Sequence, residues 1–334
     1  MPIQEFSHWL DCRDLATVLR RDETAIHSLC QDNQIVPRTF RTGGEIRKTL
    51  TSLQVREALN LSGFGLSKKA HYISFIMCKG GVGKTTVSYF LGQRLASYGA
   101  RVLYIDSDPQ ANLTAALRPH QSGYTLSDRT PVLVDVLTEK CDIKDAILNL
   151  TDNLHLLPST AINSLLERQL TKNLANAVPR LSQILRAVEK DYDFILIDCA
   201  PSLNVINASI VYASDRVLMP FQLDEFSRLG LQQTVDEIHD LEKEFSFKTS
   251  IGLLLNKFQP TEKLTFLYLG DVAAKYENLL MQTTIRQSDE IKTALAFRKD
   301  FFLKSNSKPR ADFDQLARTL LAEAQFIGNQ NANY

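Results

Sequence analysis

Residues 79–86 read Lys-Gly-Gly-Val-Gly-Lys-Thr-Thr, and this stretch constrains the fold of the chain more than any other. It follows an apolar run at residues 72–77 and precedes an amphipathic helical pattern that extends to residue 98. A strand, a glycine-rich turn and a helix start form the context that a phosphate-binding loop requires. Glycines let the backbone approach an anion closely, and the helix N-terminus points its N–H groups at it.

Two positions in this loop have defined roles in nucleotide binding. Lys84 is expected to contact the β- and γ-phosphates, and the Thr85 hydroxyl is expected to ligate Mg²⁺. The residues expected to line the phosphates are Gly80, Gly81, Val82, Gly83, Lys84, Thr85 and Thr86. The loop departs from the G-x-x-x-x-G-K-[ST] pattern, because Cys78 stands at the first glycine position and Lys79 adds a second lysine. This departure distinguishes the loop from the ordinary type.

Short apolar segments alternate with helical patterns downstream of residue 70. The expected strands are 72–77, 101–106, 154–157, 193–198, 216–221 and 250–256. The expected helices are 84–98, 162–175, 179–190, 204–213, 228–244, 262–276 and 311–325. This alternation indicates an α/β fold in which a mostly parallel sheet is covered by helices on both faces. In such sheets ligands bind beyond the carboxyl ends of the strands, where the motifs of this chain fall.

Acidic residues end two of the expected strands. Asp106 and Asp108 lie at the end of strand 101–106, where a carboxylate can hold Mg²⁺ or orient a water, although Asp-x-Asp-Pro is also good turn chemistry. Asp198 closes an apolar strand, and an unpaired carboxylate there would be costly to bury. We therefore expect Thr85, Asp106 and Asp198 to form the metal side of a nucleotide site.

The length and composition indicate a cytosolic protein of two parts. The 334 residues suffice for one α/β domain of roughly 250 residues and a small appendage. A stretch at 61–70 with two glycines and a lysine pair reads as a linker, so we expect domains at 1–66 and 67–334. The five cysteines are widely spaced, and neither an 18-residue apolar run nor a signal-peptide pattern occurs.

Several motifs together resemble one family, the ParA/MinD group of deviant Walker A ATPases. Residues 79–86 match that group's phosphate loop at every position. Residues 101–114 resemble the ParA version of the second motif more than the MinD version, and residues 220–231 and 285–288 also have ParA counterparts. The resemblance covers residues 71 to about 320 and implies a DNA-partition ATPase that uses ATP and Mg²⁺.

The resemblance also implies roles for individual residues. Lys79 matches the signature lysine, which in the family reaches across a nucleotide-sandwich homodimer to the partner subunit's ATP. Asp108 matches the position that orients the attacking water, Asp106 a Mg²⁺-water or switch contact, and Asp198 the Walker B aspartate. Asn256 stands where a side chain can read the adenine edge. Slow intrinsic hydrolysis, stimulated by a ParB-like centromere-binding partner, is expected.

The N-terminal region carries a weaker pattern. Residues 14–30 have helix-turn-helix spacing, which predicts a small α-helical (winged) helix-turn-helix domain. Candidate base-reading residues are Thr24, His27, Ser28 and Gln31. Residues 33–71 carry seven positive and two negative side chains, a net +5 that suits phosphate contacts and includes Arg38 and Arg41. A small dimerisation or regulatory domain with a solvated basic face is the alternative.

Residues 286–310 form a second basic segment. Seven cations against three acids give a net +4, and Arg286, Arg298 and Lys299 are candidates for a nonspecific DNA surface. A solvated mixed-charge segment is the alternative.

Four functions fit these patterns. The leading one is a nucleoid-associated partition switch whose N-terminal region also represses its own operon. A MinD-like membrane switch requires a basic amphipathic C-terminal helix, and residues 313–334 have few cations, so no membrane partner is expected. A nucleotide-regulated repressor and a switch that positions a protein machine remain alternatives.

Overall fold

The structure is a computed structural model. It describes residues 9–42, 45–64, 69–118, 122–127, 129–164, 174–202, 204–259, 263–297, 301–303 and 307–330. The strands are β1 (Trp9–Asp11), β2 (Arg38–Thr42), β3 (Glu45–Thr51), β4 (His71–Phe75), β5 (Val102–Asp106), β6 (Leu148–Thr151), β7 (Leu154–Leu157), β8 (Phe194–Asp198), β9 (Arg216–Phe221), β10 (Ser250–Phe258) and β11 (Leu280–Arg286). The helices are α1 (Cys12–Leu19), α2 (Glu23–Asp32), α3 (Ser52–Leu61), α4 (Lys84–Ser97), α5 (Asn112–Leu117), α6 (Leu133–Leu137), α7 (Ile143–Ala146), α8 (Leu174–Leu185), α9 (Val205–Ala213), α10 (Glu225–Phe245), α11 (Lys263–Tyr276), α12 (Asp289–Phe297) and α13 (Lys308–Gln330).

An eight-stranded sheet organises the larger part of the chain. Its order is β11-β10-β9-β4-β8-β5-β7-β6, and only the β6–β7 pair is antiparallel. This confirms the predicted α/β class, and all six predicted strands are present. The two edge strands, β6 and β11, were missed because polar residues interrupt their apolar pattern, as half-exposed edges permit.

Alternate residues of the central strands enter two separate cores. On β8, Phe194 and Leu196 face one core, whereas Ile195 and Ile197 face the other. Both cores need a helical cover, because a strand with apolar side chains in both directions cannot leave either face in water. Helices α4 and α13 contribute to the first core, and α8, α9 and α10 contribute to the second.

Helix bounds differ from expectation mainly between residues 161 and 190. The helix predicted over 162–175 is represented by a 3₁₀ turn, Ala161–Ser164, and residues 165–173 lie outside the described residues. The prediction placed a helix start at Pro179, but α8 begins earlier, at Leu174. Its buried face already includes Ala177 and Val178. Helix α12 and the short α5, α6 and α7 were not predicted.

The N-terminal region is built as β1–α1–α2–β2–β3–α3. Asp11 caps α1 and Asp22 caps α2, and only residues 20–22 separate the two helices. The three strands pair antiparallel in the order β1-β3-β2, so a hairpin follows α2 directly. The expected boundary between residues 66 and 67 falls within 65–68, outside the described residues.

The N-terminal region packs on the α4 face of the sheet domain. Leu10, Leu15 and Val55 belong to the same core as residues of α4 and α13. Ser52 Oγ lies 3.1 Å from Asn153 Oδ1, and the Arg56 guanidinium donates to Asp193 at 2.5 Å. The two parts of the chain therefore share one hydrophobic core.

A buried ionic cluster reinforces this packing, and we call its five members the docking network: Asp14, Arg94, Tyr98, Arg310 and Asp314. Arg94 of α4 donates from Nη2 to Asp14 at 2.7 Å and from Nε to Asp314 at 2.5 Å. Arg310 donates to the same Asp14 oxygen at 2.5 Å, and the Tyr98 hydroxyl donates to Asp314 at 2.7 Å. Three elements, α1, α4 and α13, thus meet at shared charges.

Across the described residues, no helix combines the length and apolar character needed to cross a bilayer.

Candidate nucleotide-binding site

The glycine-rich loop connects β4 to α4 at the carboxyl edge of the sheet. Gly81 and Gly83 have φ angles of +76° and +96°, which favour glycine. A Cβ on Gly83 would also lie 2.3 Å from Asn256 Nδ2, so this position has no room for a side chain. The 14-residue α4 begins at Lys84 and directs its N-terminus at the loop.

The two residues after Gly83 take the expected positions below the loop. Lys84 is 7% exposed, and its ammonium lies 3.3 Å from the Met77 carbonyl oxygen. Burial lowers the pKa of Lys84, and the nearby Asp198 carboxylate opposes that shift. The Thr85 hydroxyl donates to Asp198 Oδ2 at 2.7 Å. The loop carbonyl offers the buried ammonium only a neutral acceptor. A phosphate would give it an anionic partner.

Asp106 and Asp198 end neighbouring parallel strands in register, and both are fully buried. Asp106 accepts from the Thr114 amide and hydroxyl at 2.8 and 2.7 Å, yet burial raises its pKa to about 6. Burial raises the pKa of Asp198 to about 8, and the charge of Asp106 adds to the rise. Asp198 Oδ1 has no hydrogen-bond partner among the described residues. Asp198 is therefore the member of this pair that lacks a full set of hydrogen-bond donors.

The donor set fits a hard cation. Thr85, Asp106 and Asp198 supply oxygen atoms, and a buried unpaired carboxylate oxygen is costly unless an ion or water completes it. Within the described ranges, no group of three or more His, Cys, Asp or Glu residues forms a metal cage. Mg²⁺ needs none, because it keeps waters and is shared with substrate phosphates.

Asp108 lies in the turn beyond β5. Its Oδ1 accepts from the Gln110 amide at 2.9 Å, and its carbonyl oxygen accepts from Ser159 at 2.6 Å. Asp108 is 8% exposed. The side-chain bond to the amide two residues on is turn chemistry, as the alternative interpretation anticipated. This bond uses Oδ1 and not Oδ2. Its role in orienting a water remains a prediction.

Lys79 is held by residues that the sequence did not single out. Its ammonium lies 2.6 and 2.8 Å from the two Asp224 carboxylate oxygens and 2.9 Å from Ser227 Oγ. Asp224 is also the N-cap of α10, accepting from the Ser227 amide. An Asp directly before the helix was the available signal for the cap. Within this chain, the second lysine of the loop pairs with a carboxylate.

Asn256 contacts the loop backbone. Its Nδ2 donates to the Val82 carbonyl oxygen at 2.7 Å, and the side chain is 4% exposed. The next residue, Lys257, has a φ of +54° and donates to the Gly81 carbonyl oxygen at 2.6 Å. Gln222 donates to the same oxygen at 3.1 Å. Sequence reasoning missed Lys257 and Gln222, because their role depends on strands that meet only in the folded sheet.

The candidate DNA-binding residues of the N-terminal region lie on α2 and β2. Thr24 and Ser28 are exposed and His27 half-exposed on one face of α2, with Gln31 exposed one turn further. Arg38 of β2 is exposed, with its guanidinium carbon 4.8 Å from the centroid of the Trp9 ring. Arg41 lies on β2, but its side chain is outside the described part of the chain. DNA binding by this region stays a prediction.

Of the three candidate DNA-binding residues in the C-terminal segment, only Arg286 lies within the described residues. Arg286 makes a two-point ion pair with Asp312, with distances of 2.6 and 2.7 Å, so an internal carboxylate already holds its guanidinium. Arg298 and Lys299 lie outside the described residues. The nonspecific DNA surface expected here is untested.

Comparisons with known proteins give a consistent result. The profile of a family described as an AAA domain matches residues 70–251. The Bacillus subtilis sporulation initiation inhibitor protein Soj is 33% identical over 227 residues, which cover 67% of this chain and 87% of Soj. The Caulobacter vibrioides chromosome partitioning protein ParA is 32% identical over 229 residues, 67% of this chain and 84% of that protein.

Solved structures agree with the sequence relatives. Apo McdA from Cyanothece superposes with a TM-score of 0.67 and 25% identity, covering 76% of this chain and 99% of McdA. Other matching structures contain ATP, or an ATP analog with magnesium. The family match begins at residue 70, so it does not include the N-terminal region.

Proposed function

The chain belongs to the ParA/MinD-type P-loop ATPases, and from this premise we propose that it is an ATP-dependent switch that positions a DNA cargo. ATP and Mg²⁺ are its cofactors, in line with the solved relatives. The observation that carries the ATPase site is the cluster beneath the loop: Thr85 bonded to Asp198, with Asp106 beside it and Lys84 buried above.

Each residue of the site has a task in hydrolysis. The loop amides and Lys84 hold the β- and γ-phosphates, while Thr85 and Asp198 face the cation. Mg²⁺ held by Thr85 and Asp198 would supply positive charge against the phosphates. Asp108 orients the attacking water from the turn beyond β5. Closely held phosphates and an oriented water let positioning supply most of the rate.

Lys79 makes the site a switch. In one chain its charge is neutralised by Asp224. In a nucleotide-sandwich homodimer the lysine exchanges this carboxylate for the phosphates of the partner subunit's ATP. Because the triphosphate offers more negative charge than the diphosphate, ATP favours the dimer and hydrolysis releases it.

The names of the relatives support partition as the task. Soj and ParA lie among the bacterial proteins most similar to this chain, and ParA is described as a chromosome partitioning protein. We propose that the ATP-bound dimer binds nucleoid DNA nonspecifically in the cytoplasm, and that a ParB-like partner stimulates hydrolysis. The exposed face of α2 and the β2–β3 hairpin would bind an operator and repress the chain's own operon.

The decisive experiment measures binding to a random-sequence duplex with no nucleotide, with ADP and with ATP plus Mg²⁺, across a salt series. Binding that requires ATP and weakens steeply with salt is expected, because phosphate contacts release counterions. The Lys84→Ala variant is the control, since it keeps the surface and loses nucleotide binding. Nucleotide-independent binding by the wild type would assign DNA binding to the N-terminal region alone and overturn the switch.

A further inference from the structure

Lys257 has a backbone conformation that a lysine rarely adopts. Its φ angle is +54°, in the left-handed region that favours glycine. Lys257 is also an extra residue in the pairing of β10 with β11. Asn256 lies opposite Ile285, and Phe258 lies opposite the very next residue, Arg286. A β-bulge of this kind re-aims a side chain, and a strained backbone persists only where the surrounding structure imposes it. The bulge therefore sets the direction of the Lys257 side chain.

That direction is toward the glycine-rich loop. The Lys257 ammonium donates to the Gly81 carbonyl oxygen at 2.6 Å, and the Gln222 side-chain amide donates to the same oxygen at 3.1 Å. Asn256, the preceding residue, donates to the Val82 carbonyl oxygen at 2.7 Å. In the described part of the chain, no carboxylate pairs with Lys257. Two consecutive residues of β10 thus hold two consecutive carbonyl groups of the loop.

Holding a carbonyl group also fixes the amide at the other end of the same peptide bond. The peptide bonds of the loop are trans, and in a trans peptide the N–H points opposite to the C=O. With the Gly81 and Val82 carbonyls held from β10, the N–H groups of Val82 and Gly83 point away from β10. Neither N–H has an acceptor among the described residues. Gly83 directly precedes α4, so both free donors lie at a helix N-terminus, where an anion is favoured.

We propose that Lys257 is a positioning residue for the nucleotide phosphates, because its contact with the Gly81 carbonyl orients the loop amides toward them. The proposal rests on the proposed ATPase site and adds to it a residue outside the loop. Amides that already face the anion need no reorganisation when it binds, so a residue that orients them raises affinity without touching the ligand. Amides of such loops contact the α- and β-phosphates, which ADP and ATP share. Lys257 therefore contributes equally to the binding of both nucleotides.

Lys257→Met tests this, because methionine keeps most of the side-chain length and removes the donor. We expect the dissociation constants of ADP and ATP, measured with Mg²⁺ by calorimetry, to rise by the same factor of about ten, because hydrogen bonds to charged phosphates weaken in both complexes. Lys257→Arg should restore most of the affinity, since a guanidinium can donate to the same carbonyl oxygen. A loss confined to ATP would mean that Lys257 contacts the γ-phosphate directly, and the positioning role would be wrong.

Lys257→Gly separates positioning of the loop from a purely structural role. Glycine adopts a φ angle of +54° without strain, so the thermal midpoint without nucleotide should stay the same or rise. Both dissociation constants should nevertheless rise as in Lys257→Met. A lower midpoint with unchanged nucleotide affinity would show that the lysine only stabilises the end of β10, and the inference would fail.

Lys292→Met is the matched control for charge near the loop. Burial, and after it the nearby Lys292 ammonium, lowers the pKa of Lys257, so the two charges lie close together. Lys292 is 70% exposed and pairs with Asp289 at 3.0 Å. Its removal should leave both dissociation constants unchanged. Equal weakening in the Lys292 and Lys257 variants would assign the effect to charge alone and overturn the inference. If the wild type binds neither nucleotide, the proposed ATPase site fails instead.

Discussion

Two clusters of buried charge lie on opposite ends of α4 and behave in opposite ways. Beneath the loop, Asp106 and Asp198 are fully buried and accept hydrogen bonds from neutral groups, with one Asp198 oxygen unpaired. In the docking network, Asp14 and Asp314 each accept from the Arg94 guanidinium. Burial alone would raise the pKa of Asp314, but Arg94 lowers it below its ordinary value.

The presence or absence of an arginine partner distinguishes a structural ion pair from a ligand-binding site. A buried carboxylate with an arginine at hydrogen-bond distance has its charge balanced within the chain. Breaking that pair destabilises the fold. A buried carboxylate without a nearby cation keeps its proton until a cation from outside binds beside it. The same chain uses the first arrangement to join its parts and the second to bind a ligand.

Removing Arg94 should have the largest effect on stability. Arg94→Met leaves Asp14 and Asp314 without their shared buried cation, so we expect the free energy of unfolding in urea to fall by about 3–5 kcal/mol. Arg318→Met is the control, because Arg318 lies 3.7 Å from Asp314 and is 30% exposed, where a pair contributes at most about 1 kcal/mol. Equal losses in the two variants would contradict a special role for the docking network.

Asp198 should make the fold less stable as pH rises. Its folded pKa of about 8 lies above the unfolded value of about 3.9, so the folded state keeps a proton that the unfolded state has lost. The free energy of unfolding, measured without nucleotide or Mg²⁺, should therefore fall between about pH 4 and pH 8, by about 2–5 kcal/mol. Asp198→Asn should remove most of this decline, whereas Asp240→Asn, at an exposed site, should not. An unchanged slope in Asp198→Asn would show that Asp198 is ionised when folded.

Asp314 should show the opposite dependence. Its pKa is lowered in the folded protein, so its contribution is complete above the unfolded value of about 3.9 and is lost as pH falls below it. Asp314→Asn is expected to lower stability at pH 7 and to flatten the acid side of the unfolding profile. A steeper acid side in the variant would contradict the pairing with Arg94.

Lys79 should have the smallest effect on stability and a large one on assembly. Lys79 and Asp224 are 27% and 38% exposed, so Lys79→Ala should change the free energy of unfolding by less than about 1 kcal/mol. The variant should bind ATP and remain monomeric, as measured by light scattering. Asp224→Asn keeps a helix cap but frees Lys79, and it should dimerise at lower ATP concentration. ATP-induced dimers of Lys79→Ala would refute the proposed exchange of partners.

Local patterns predicted the glycine-rich loop and the carboxylates that the structure brings beside it. The loop, its flanking strand and α4 are continuous in sequence, and the six expected strands follow from uninterrupted apolar runs. Asp106 and Asp198 were found because both end such strands. Periodicity and turn chemistry act over a few residues, so they succeed where the site is built from contiguous segments.

Contacts between distant segments could not be predicted. Asp224 is 145 residues from Lys79, and no local pattern links them. Arg286 remains a candidate for a DNA surface, but its ion pair with Asp312, 26 residues away, has no local signal in the sequence. That Asn256 stands near the base remains a prediction, and its bond to the Val82 carbonyl could not be foreseen, because the loop and β10 meet only across the sheet.

The docking network has a consequence for the order in which the chain becomes complete. Asp14 emerges from the ribosome early, and its partner Arg310 is 296 residues away. At a synthesis rate of about 5–20 residues per second, roughly 15–60 seconds separate the two. For most of that interval the N-terminal segment can pack on α4 but lacks α13, so Asp14 has Arg94 and not yet Arg310 as a partner. We therefore expect truncation before residue 308 to release a nascent N-terminus that proteases cut readily.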